Sequence, residues 1–270
     1  MGEKFIKLWE TKNQNDEWWS SFVSSPLAIL LNWFVVDIRW ITPNLLTSIS
    51  FLVALLASAL ILASALVLTE TRQAFIGAAL LIHASLVLDC MDGQMAKYRG
   101  VSSRFGSYFD KVTDQIKIFA WFGAISYVSF LQTSSIVPIF LAFTGVTFYS
   151  LRVYVKYVTI FIEVEHDITY LEKSSREAAA INSQRSKAGG IGQGFKQNLF
   201  WFLGEQRKFF LFNEAVFVFI LSVALLFNVI LPVLWLFAIS QLYYGFVRSW
   251  QRGSQIYNNQ HNELLKPMEK

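Results

Sequence analysis

The chain has 270 residues, of which 54% are hydrophobic and only 16% are charged, and its mean hydropathy is +0.42. This composition excludes an ordinary soluble domain, in which about a quarter of the residues are charged, and favours a helical membrane protein. The net charge of +4 does not indicate a nucleic-acid partner, because the basic residues lie in the segments between the apolar runs.

The first 41 residues are predicted to form a cytoplasmic and interfacial segment. Residues 1–24 are charged and aromatic, and Ser25-Pro26 has the pattern of a helix start with Ser25 as the N-cap. The apolar run 26–36 that follows is too short to span a membrane, which needs about 20 residues. Because tryptophans flank this run, the sequence predicts an amphipathic helix that lies along the membrane surface.

Residues 42–250 are predicted to form one all-α membrane domain, which begins at a second helix-start signal, Thr42-Pro43. Its apolar segments predict six transmembrane helices, at about 42–68, 73–96, 103–131, 136–162, 209–227 and 230–250. A polar insert, 163–207, separates the fourth helix from the fifth, and a polar tail covers 251–270. The glycine-rich run 189–194 in the insert has no preceding strand and predicts a flexible hinge, not a phosphate-binding loop.

The distribution of Lys and Arg predicts the orientation of the chain in the membrane. The loop 94–105 carries three of these residues and the segment 163–208 carries seven, whereas the opposite turns carry only Arg72. Both termini, the insert and the loop 94–105 are therefore expected on the cytoplasmic side.

Four aspartates lie at the predicted cytoplasmic ends of the second and third helices: Asp89, Asp92, Asp110 and Asp114. At about 100° per residue, each helix carries its two acids on one face, so the four should meet between antiparallel neighbours. Carboxylates at membrane depth are costly unless they are paired, and they predict a functional site. The sequence has no histidine or cysteine constellation there, and carboxylate oxygens suit Mg²⁺, Mn²⁺ or Ca²⁺. Four carboxylates on two helices can hold two such ions about 3.5–4 Å apart.

Small residues accompany the acids on the same faces. Gly93, Ala96 and Gly106 would let a flat ligand or a second backbone approach closely. In its residue types and spacing, the whole pattern resembles the signature of the CDP-alcohol phosphotransferases, also called CDP-alcohol phosphatidyltransferases. The matching residues are Asp89, Asp92, Gly93, Ala96, Gly106, Asp110 and Asp114, and Lys97 stands where the family has arginine.

The resemblance implies an enzyme of phospholipid biosynthesis. Such an enzyme transfers a phosphatidyl-type group from a CDP-alcohol, here preferably CDP-diacylglycerol, to a second alcohol and releases CMP. It also implies two Mg²⁺ or Mn²⁺ ions on the four aspartates, Asp114 as the general base, and a homodimer. The residues expected to contact the cytidine or the diphosphate are Gly93, Ala96, Lys97 and Gly106.

The acceptor alcohol stays open at this point. Glycerol phosphate, inositol phosphate, inositol, serine, or a diacylglycerol that receives choline or ethanolamine phosphate all fit the pattern. Four basic residues favour a phosphorylated acceptor: Arg104, Lys111, Arg152 and Lys156. For Arg152 and Lys156, the alternative is that the side chains reach the lipid headgroups.

A second class of protein, a cation-coupled transporter, also uses intramembrane carboxylates. Its acids would be scattered among several spans near the midplane of the bilayer. Here they cluster on two helices with three small residues at fixed spacing, which favours the enzyme. His83, in the second predicted helix, is expected to form a hydrogen bond within the bundle and not to bind a metal.

Overall fold

A computed structural model describes residues 2–13, 16–66, 71–184, 189–190 and 193–265, without the side chains of 181–184 and 261–265. In order, the elements are α1 (Glu3–Glu10), a π-helical turn (Ser20–Ser24), α2 (Ser25–Val35), α3 (Pro43–Leu66), α4 (Thr71–Arg99), α5 (Arg104–Thr133), α6 (Val137–His166), α7 (Tyr170–Gln184), α8 (Phe195–Glu205), a 3₁₀ turn (Gln206–Leu211), α9 (Glu214–Leu226) and α10 (Ile230–Leu265). The all-α class is therefore confirmed for the described residues.

Four helices, α3, α4, α6 and α10, are long and apolar enough to cross a membrane. A fifth candidate is the pair formed by α8 with its 3₁₀ turn and α9, which bends by 76° at a short break. Helix α5 lies where the third span was predicted and has 30 residues, but its first half is strongly charged. The structure thus supports an integral membrane protein with four or five apolar spans. The connection left between the first two predicted spans, 69–72, is only partly described, because 69 and 70 lie outside the described residues, and Thr71 and Arg72 already belong to α4.

The fifth predicted span begins later than expected. Phe212 has a positive φ of 48°, which ends the preceding 3₁₀ turn, and α9 starts only at Glu214. Its 13 residues extend about 20 Å at 1.5 Å per residue, less than the roughly 30 Å of a bilayer core. The first backbone amides of α9 donate to the Glu17 carboxylate, Ala215 N at 3.1 Å and Val216 N at 3.3 Å. The N-terminal segment therefore caps this helix.

Helix α3 organises the half of the bundle that carries the acids. It packs along both α4 and α5, while α9 packs against α4, and α10 packs along α6. Trp121 is buried and donates from its indole to the Ala54 carbonyl at 3.1 Å, which joins α5 to α3. Phe122 stacks on Phe237 with ring centroids 3.9 Å apart, which joins α5 to α10.

The predicted helix at 26–36 is present, but its predicted cap is not. Ser25 has helical backbone angles, since α2 continues directly from the π-helical turn. The Ser25 hydroxyl instead accepts a hydrogen bond from Gln94 Nε2 at 3.1 Å. One face of α2 is buried against α4, where Asn32 Nδ2 donates to the Met91 carbonyl at 2.9 Å, and the other face exposes Phe34. That this exposed face lies on a membrane stays a prediction.

Two glycines of the predicted hinge are held in place. Gly189 and Gly190 are buried, and the Gly189 carbonyl accepts from Lys12 Nζ at 2.7 Å and from the Ser21 hydroxyl. The Gly190 amide donates to Asn198 Oδ1 at 2.8 Å. The prediction of a flexible hinge is therefore wrong for these two residues, because they dock on the N-terminal segment; 191 and 192 lie outside the described residues.

The C-terminal tail also differs from the prediction. Helix α10 does not end near 250 but continues as a helix to Leu265.

Candidate active site

The acidic ends of α4 and α5 face each other across a cleft. The turn between the two helices contains Gly100, with a φ of 66°, and Ser103, whose hydroxyl accepts from the Gly106 amide at 2.9 Å and caps α5. The two helices were expected to pack directly as antiparallel neighbours. Instead each packs on α3, so the space between their acidic ends is left to side chains and cavities.

The four predicted aspartates converge, and they do so in two groups. Asp89, Asp92 and Asp110 can each place one oxygen within 4.8 Å of the others. Asp89 does the same with Asp114 and with Glu214, the first residue of α9. Asp89 therefore belongs to both groups and joins the acids of α4, α5 and α9 into one cluster.

Glu214 was missed in the sequence because it lies 100 positions beyond Asp114 and inside a predicted apolar span. The sequence did contain an indication of its role, because an acid at the first position of an apolar segment needs a structural or functional reason at membrane depth. No hydrogen bond or ion pair joins its carboxylate to another residue in the described part of the chain.

Two lysines of α5 lie among the acids. Lys117 is 2% exposed, and its Nζ lies 2.6 Å from Asp89 Oδ1 and 3.1 Å from Asp114 Oδ1. Lys111 is more exposed and contacts Asp110 Oδ2 at 2.6 Å. These ion pairs offset the repulsion that three of the carboxylates would otherwise exert on one another. Asp92 has no lysine partner among the described residues; it accepts a hydrogen bond from the Thr47 hydroxyl of α3.

Three cavities meet at this cluster. The loop cavity, about 590 Å³, is lined by residues that include Thr42, Asn44, Asp92, Gly93, Gly106 and Asp110. The N-terminal cavity, about 280 Å³, is lined by residues that include Asp16, Glu17, Asp89, Gly93, Lys97 and Glu214. The apolar cavity, about 950 Å³, is lined by residues that include Arg104, Lys111, Asp114, Lys117, Trp121 and Glu214. The acids thus have open space on three sides.

The small residues of the motif serve different purposes. A Cβ added at Gly93 would meet nothing within 4 Å, so this glycine opens onto the cavities. A Cβ added at Gly106 would lie 2.9 Å from Asn44 Oδ1 and 3.0 Å from Ser103 Oγ, so this glycine permits close packing of α5 on the start of α3. Ala96 lines the loop cavity beside Gly93.

The basic residues named in the sequence divide into two groups. Lys97 lines the loop and N-terminal cavities and donates to the Thr11 carbonyl at 3.3 Å, whereas Arg104 and Lys111 line the apolar cavity. Arg152 donates to the Leu211 carbonyl at 2.7 Å and also to Gln241, and neither Arg152 nor Lys156 is among the described residues that line these three cavities.

The position of Arg152 therefore has a structural explanation, because its guanidinium joins α6 to α10 and to the turn before α9. His83 also acts within the bundle: its Nδ1 lies 3.1 Å from Ser222 Oγ of α9, as predicted.

The donor set fits hard divalent cations. All five side chains offer carboxylate oxygens, each group of three is compact enough to surround one ion, and two groups give room for two ions. Two lysines oppose this fit, since the ammonium of Lys117 lies between Asp89 and Asp114, and that of Lys111 contacts Asp110 and lies 3.7 Å from Asp114 Oδ2. Among the described residues, Asp92 has no lysine partner, and one oxygen each of Asp89 and Asp110 has none either.

Comparison with known proteins gives one positive result. Residues 40–189 match the sequence model of the family described as CDP-alcohol phosphatidyltransferase, which covers more than half of the chain and all four aspartates. No curated protein matches the chain. The matched region ends before α9, so Glu214 lies outside it, as does the N-terminal segment up to residue 39.

Proposed function

The chain belongs to the CDP-alcohol phosphatidyltransferase family, and we propose that it transfers a phosphatidyl group from CDP-diacylglycerol to a second alcohol and releases CMP. The observation that carries the proposal is the position of Asp89, which belongs to both carboxylate groups of a cluster whose acids line three cavities. A transporter receives no support from the comparison, and the clustering of the acids on one side of three adjacent helix ends argues against it.

The loop cavity suits the CDP part of the donor. It has Gly93 and Ala96 on α4 and Gly106 on α5, with Thr42 and Asn44 opposite them. The cytidine would lie against the small residues, and the diphosphate would point to Asp92 and Asp110. Lys97 would hold one phosphate as a point charge, because lysine lacks the forked geometry of the arginine expected there.

The apolar cavity suits the acyl chains. Its volume of about 950 Å³ is the largest of the three, and aromatic residues such as Trp121, Tyr149 and Phe217 line it. Arg104 and Lys111 lie among its lining residues and could accompany the phosphate of the lipid. The reacting phosphorus would then lie between the loop and apolar cavities, beside Asp110 and Asp114.

The aspartates Asp89, Asp92, Asp110 and Asp114 would hold two Mg²⁺ or Mn²⁺ ions. When bound, such ions supply positive charge against the diphosphate and the transferring phosphoryl group. The protein itself orients the two substrates and excludes water, which provides much of the rate enhancement in transfers of this type.

In the chemical step, the acceptor oxygen attacks the phosphorus that carries the lipid alcohol. The phosphoanhydride bond to CMP breaks, CMP leaves with that electron pair, and the hydroxyl proton of the acceptor passes to Asp114. Lys117, 3.1 Å from Asp114 Oδ1, would hold this carboxylate in position. The products are a phospholipid and CMP.

The proposed function includes an arrangement of the helices in the membrane. We infer six crossings, with α5 as the charged third one and the bent pair ending in α9 as the fifth, and an N-terminal α2 on the membrane surface. Both termini and the active site would face the cytoplasm, where the positive charges of the connecting segments are retained. The protein is expected to act as a homodimer, as the family resemblance implies.

The direct test is CMP release by the purified full-length protein. CDP-diacylglycerol and a panel of alcohols are supplied with Mg²⁺, with Mn²⁺, or with a chelator, and CMP is quantified by chromatography. Metal-dependent CMP release that requires an alcohol supports the proposal. The proposal fails if no alcohol elicits CMP from CDP-diacylglycerol; CMP released only from CDP-choline with diacylglycerol would replace the proposed donor.

A further inference from the structure

The N-terminal cavity is the one of the three that the donor does not need. Residues of the N-terminal segment, including Thr11, Asp16, Glu17 and Ser25, form one side of it, and α4 forms the other. Asp89 and Gly93 of the family motif lie on the α4 side, so the cavity opens directly onto the acid cluster. A molecule bound there would reach the acid cluster without occupying the loop cavity or the apolar cavity.

The charges around this cavity are mainly negative. Four carboxylates line it, Asp16, Glu17, Asp89 and Glu214, against one cation, Lys97. Two of the four are already engaged, because Glu17 accepts from the amides at the start of α9 and Asp89 pairs with Lys117. The other two are Glu214 and Asp16, and Asp16 is only partly engaged, through the hydroxyl of Ser25.

Beside the negative charge of the cavity, Asp16 provides a second, independent observation that indicates a bound ligand. Its Oδ2 is buried and has no hydrogen-bond partner in the described part of the chain. Burial also raises the pKa of this carboxyl group, and the hydroxyl of Ser25 and the charges of Lys12 and Lys97 only partly oppose that effect. A buried carboxylate oxygen without a partner costs free energy unless a donor or a cation is supplied from outside the protein.

We propose that the N-terminal cavity is the acceptor site and that it takes a small alcohol that carries an ammonium group and no phosphate. The ammonium group would lie against Asp16 and Glu214, and the hydroxyl group would point past Asp89 to the phosphorus. This inference rests on the proposed function and narrows it. It also replaces the sequence-based prediction of a phosphorylated acceptor. Arg104 and Lys111 line the apolar cavity, and Arg152 is engaged elsewhere.

The size of the cavity excludes a diacylglycerol, and its charge disfavours a phosphorylated acceptor. A volume of about 280 Å³ equals that of roughly nine water molecules in the liquid, which admits a small alcohol but not a diacylglycerol. The divalent ions of the proposed function would neutralise Asp89, but a phosphate group would still meet Asp16, Glu17 and Glu214 with only Lys97 of the lining to pair with it, and such like-charge contacts are unfavourable.

The positions of the lining residues along the chain support an acceptor role for the cavity. Asp16, Glu17 and Glu214 all lie outside residues 40–189, the part of the chain that matches the family, whereas Asp89, Gly93 and Lys97 lie inside it. The matched region thus supplies the groups for the common chemistry, and segments outside it supply the remaining wall of the cavity.

The first experiment compares acceptors with the full-length protein, Mn²⁺ and CDP-diacylglycerol. Ethanolamine and serine represent the ammonium alcohols, glycerol 3-phosphate and inositol phosphate the phosphorylated ones, and inositol and glycerol the neutral ones; CDP-choline with diacylglycerol forms a separate arm. CMP release fastest with ethanolamine or serine supports the inference. Faster release with any other acceptor overturns it and leaves the proposed function standing. Faster release in the CDP-choline arm overturns both the inference and the choice of CDP-diacylglycerol as the donor. No release in any arm refutes the inference and the proposed function.

The second experiment uses Asp16→Asn, with Asp37→Asn as the matched control. Asp37 carries the same chemical change but lies at the surface, paired with Lys4 and 66% exposed. Loss of a charge-assisted contact predicts that Asp16→Asn raises KM for the ammonium alcohol about ten- to hundredfold, with KM for CDP-diacylglycerol unchanged and the melting temperature no lower than that of the wild type. An unchanged acceptor KM, or equal effects on both substrates, would overturn the assignment.

Discussion

The ammonium group of Lys117 lies 2.6 Å from Asp89 Oδ1, and this pair joins α5 to α4 at the centre of the acid cluster. The side chain of Lys117 is almost completely buried and also contacts Asp114. A buried cation between two acids is costly to introduce, but removal of it leaves uncompensated buried charges. Lys117 therefore serves as the internal counter-ion of the cluster, and the divalent cations of the proposed function would share or take over this role.

This relationship predicts a metal-dependent stability change in Lys117→Met. Without divalent ions, the substitution should destabilise the protein by about 3–5 kcal/mol, because Asp89 and Asp114 lose their partner. Mn²⁺ should then raise the melting temperature of the variant more than that of the wild type, since the ion replaces the missing charge. The measurement is thermal unfolding of the purified protein with Mn²⁺ and with a chelator.

Lys111→Met is the matched control for this experiment. Its side chain is 60% exposed, so loss of its ion pair with Asp110 should cost no more than about 1 kcal/mol. If Lys117→Met were as stable as the wild type in the chelator, or gained no more from Mn²⁺, the counter-ion role would be wrong.

The acids themselves should matter for turnover and little for stability. Asp114→Asn removes the proposed base and should lower kcat about 10²–10⁴-fold. Asp92→Asn removes a proposed metal ligand and should lower CMP release by at least about 100-fold. The matched control is Asp167→Asn, an aspartate that pairs with Lys173 outside the cavities. Turnover near that of the wild type in either active-site variant would contradict the assigned roles.

The two motif glycines should respond differently to alanine. Gly93→Ala adds a Cβ that meets no protein atom within 4 Å, so the melting temperature should stay unchanged while KM for CDP-diacylglycerol rises. Gly106→Ala places a Cβ 2.9 Å from Asn44 Oδ1, and overpacking of this kind costs about 1–3 kcal/mol. Thermal unfolding and CMP kinetics on both variants separate the two effects.

The double variant Asn44→Ala/Gly106→Ala tests the cause of the stability loss expected in Gly106→Ala. Because the clash is with the Asn44 side chain, its truncation should restore part of the stability lost in Gly106→Ala. A double variant that is less stable than the sum of the two single changes would show that another contact explains the glycine.

The four aspartates of the site could be predicted from the sequence, but fewer of the residues that surround them could. Asp89, Asp92, Asp110 and Asp114 could be placed together because helical periodicity relates residues on one element and a short loop relates α4 to α5. Glu214 and Asp16 could not, since they reach the cluster through tertiary packing across about 100 residues in one direction and about 70 in the other. The role of α3 as the spacer between α4 and α5 likewise depends on packing that no local pattern specifies.

The predicted helix caps also show that a local sequence pattern does not specify tertiary contacts. Thr42 was predicted as a cap, and its hydroxyl accepts from the Leu45 amide at 3.2 Å, because that interaction is local. Ser25 had an equally good local pattern, yet its hydroxyl accepts from Gln94 and its backbone is helical. Tertiary contacts with α4 override the capping preference there.

The buried carboxyl group of Glu17 predicts a pH dependence of stability. Burial raises its pKa from 4.5 to about 7, although the amides of Val216 and Ala215 act in the opposite direction. Between these two values the folded protein binds more protons than the unfolded chain, so the free energy of unfolding decreases as the pH rises from about 4.5 through 7. At 1.36 kcal/mol per pKa unit, the decrease amounts to at most about 3 kcal/mol.

Glu17→Gln isolates this contribution, because the amide oxygen can still accept from Ala215 and Val216 but does not ionise. The variant and the wild type should melt at similar temperatures at pH 5, and the variant should melt at a higher temperature at pH 8. The raised pKa of Asp16 acts in the same direction, but it is present in both proteins and cancels in the comparison. A difference in melting temperature that does not change with pH, or a variant that is less stable than the wild type at pH 8, would contradict the assigned pKa of Glu17.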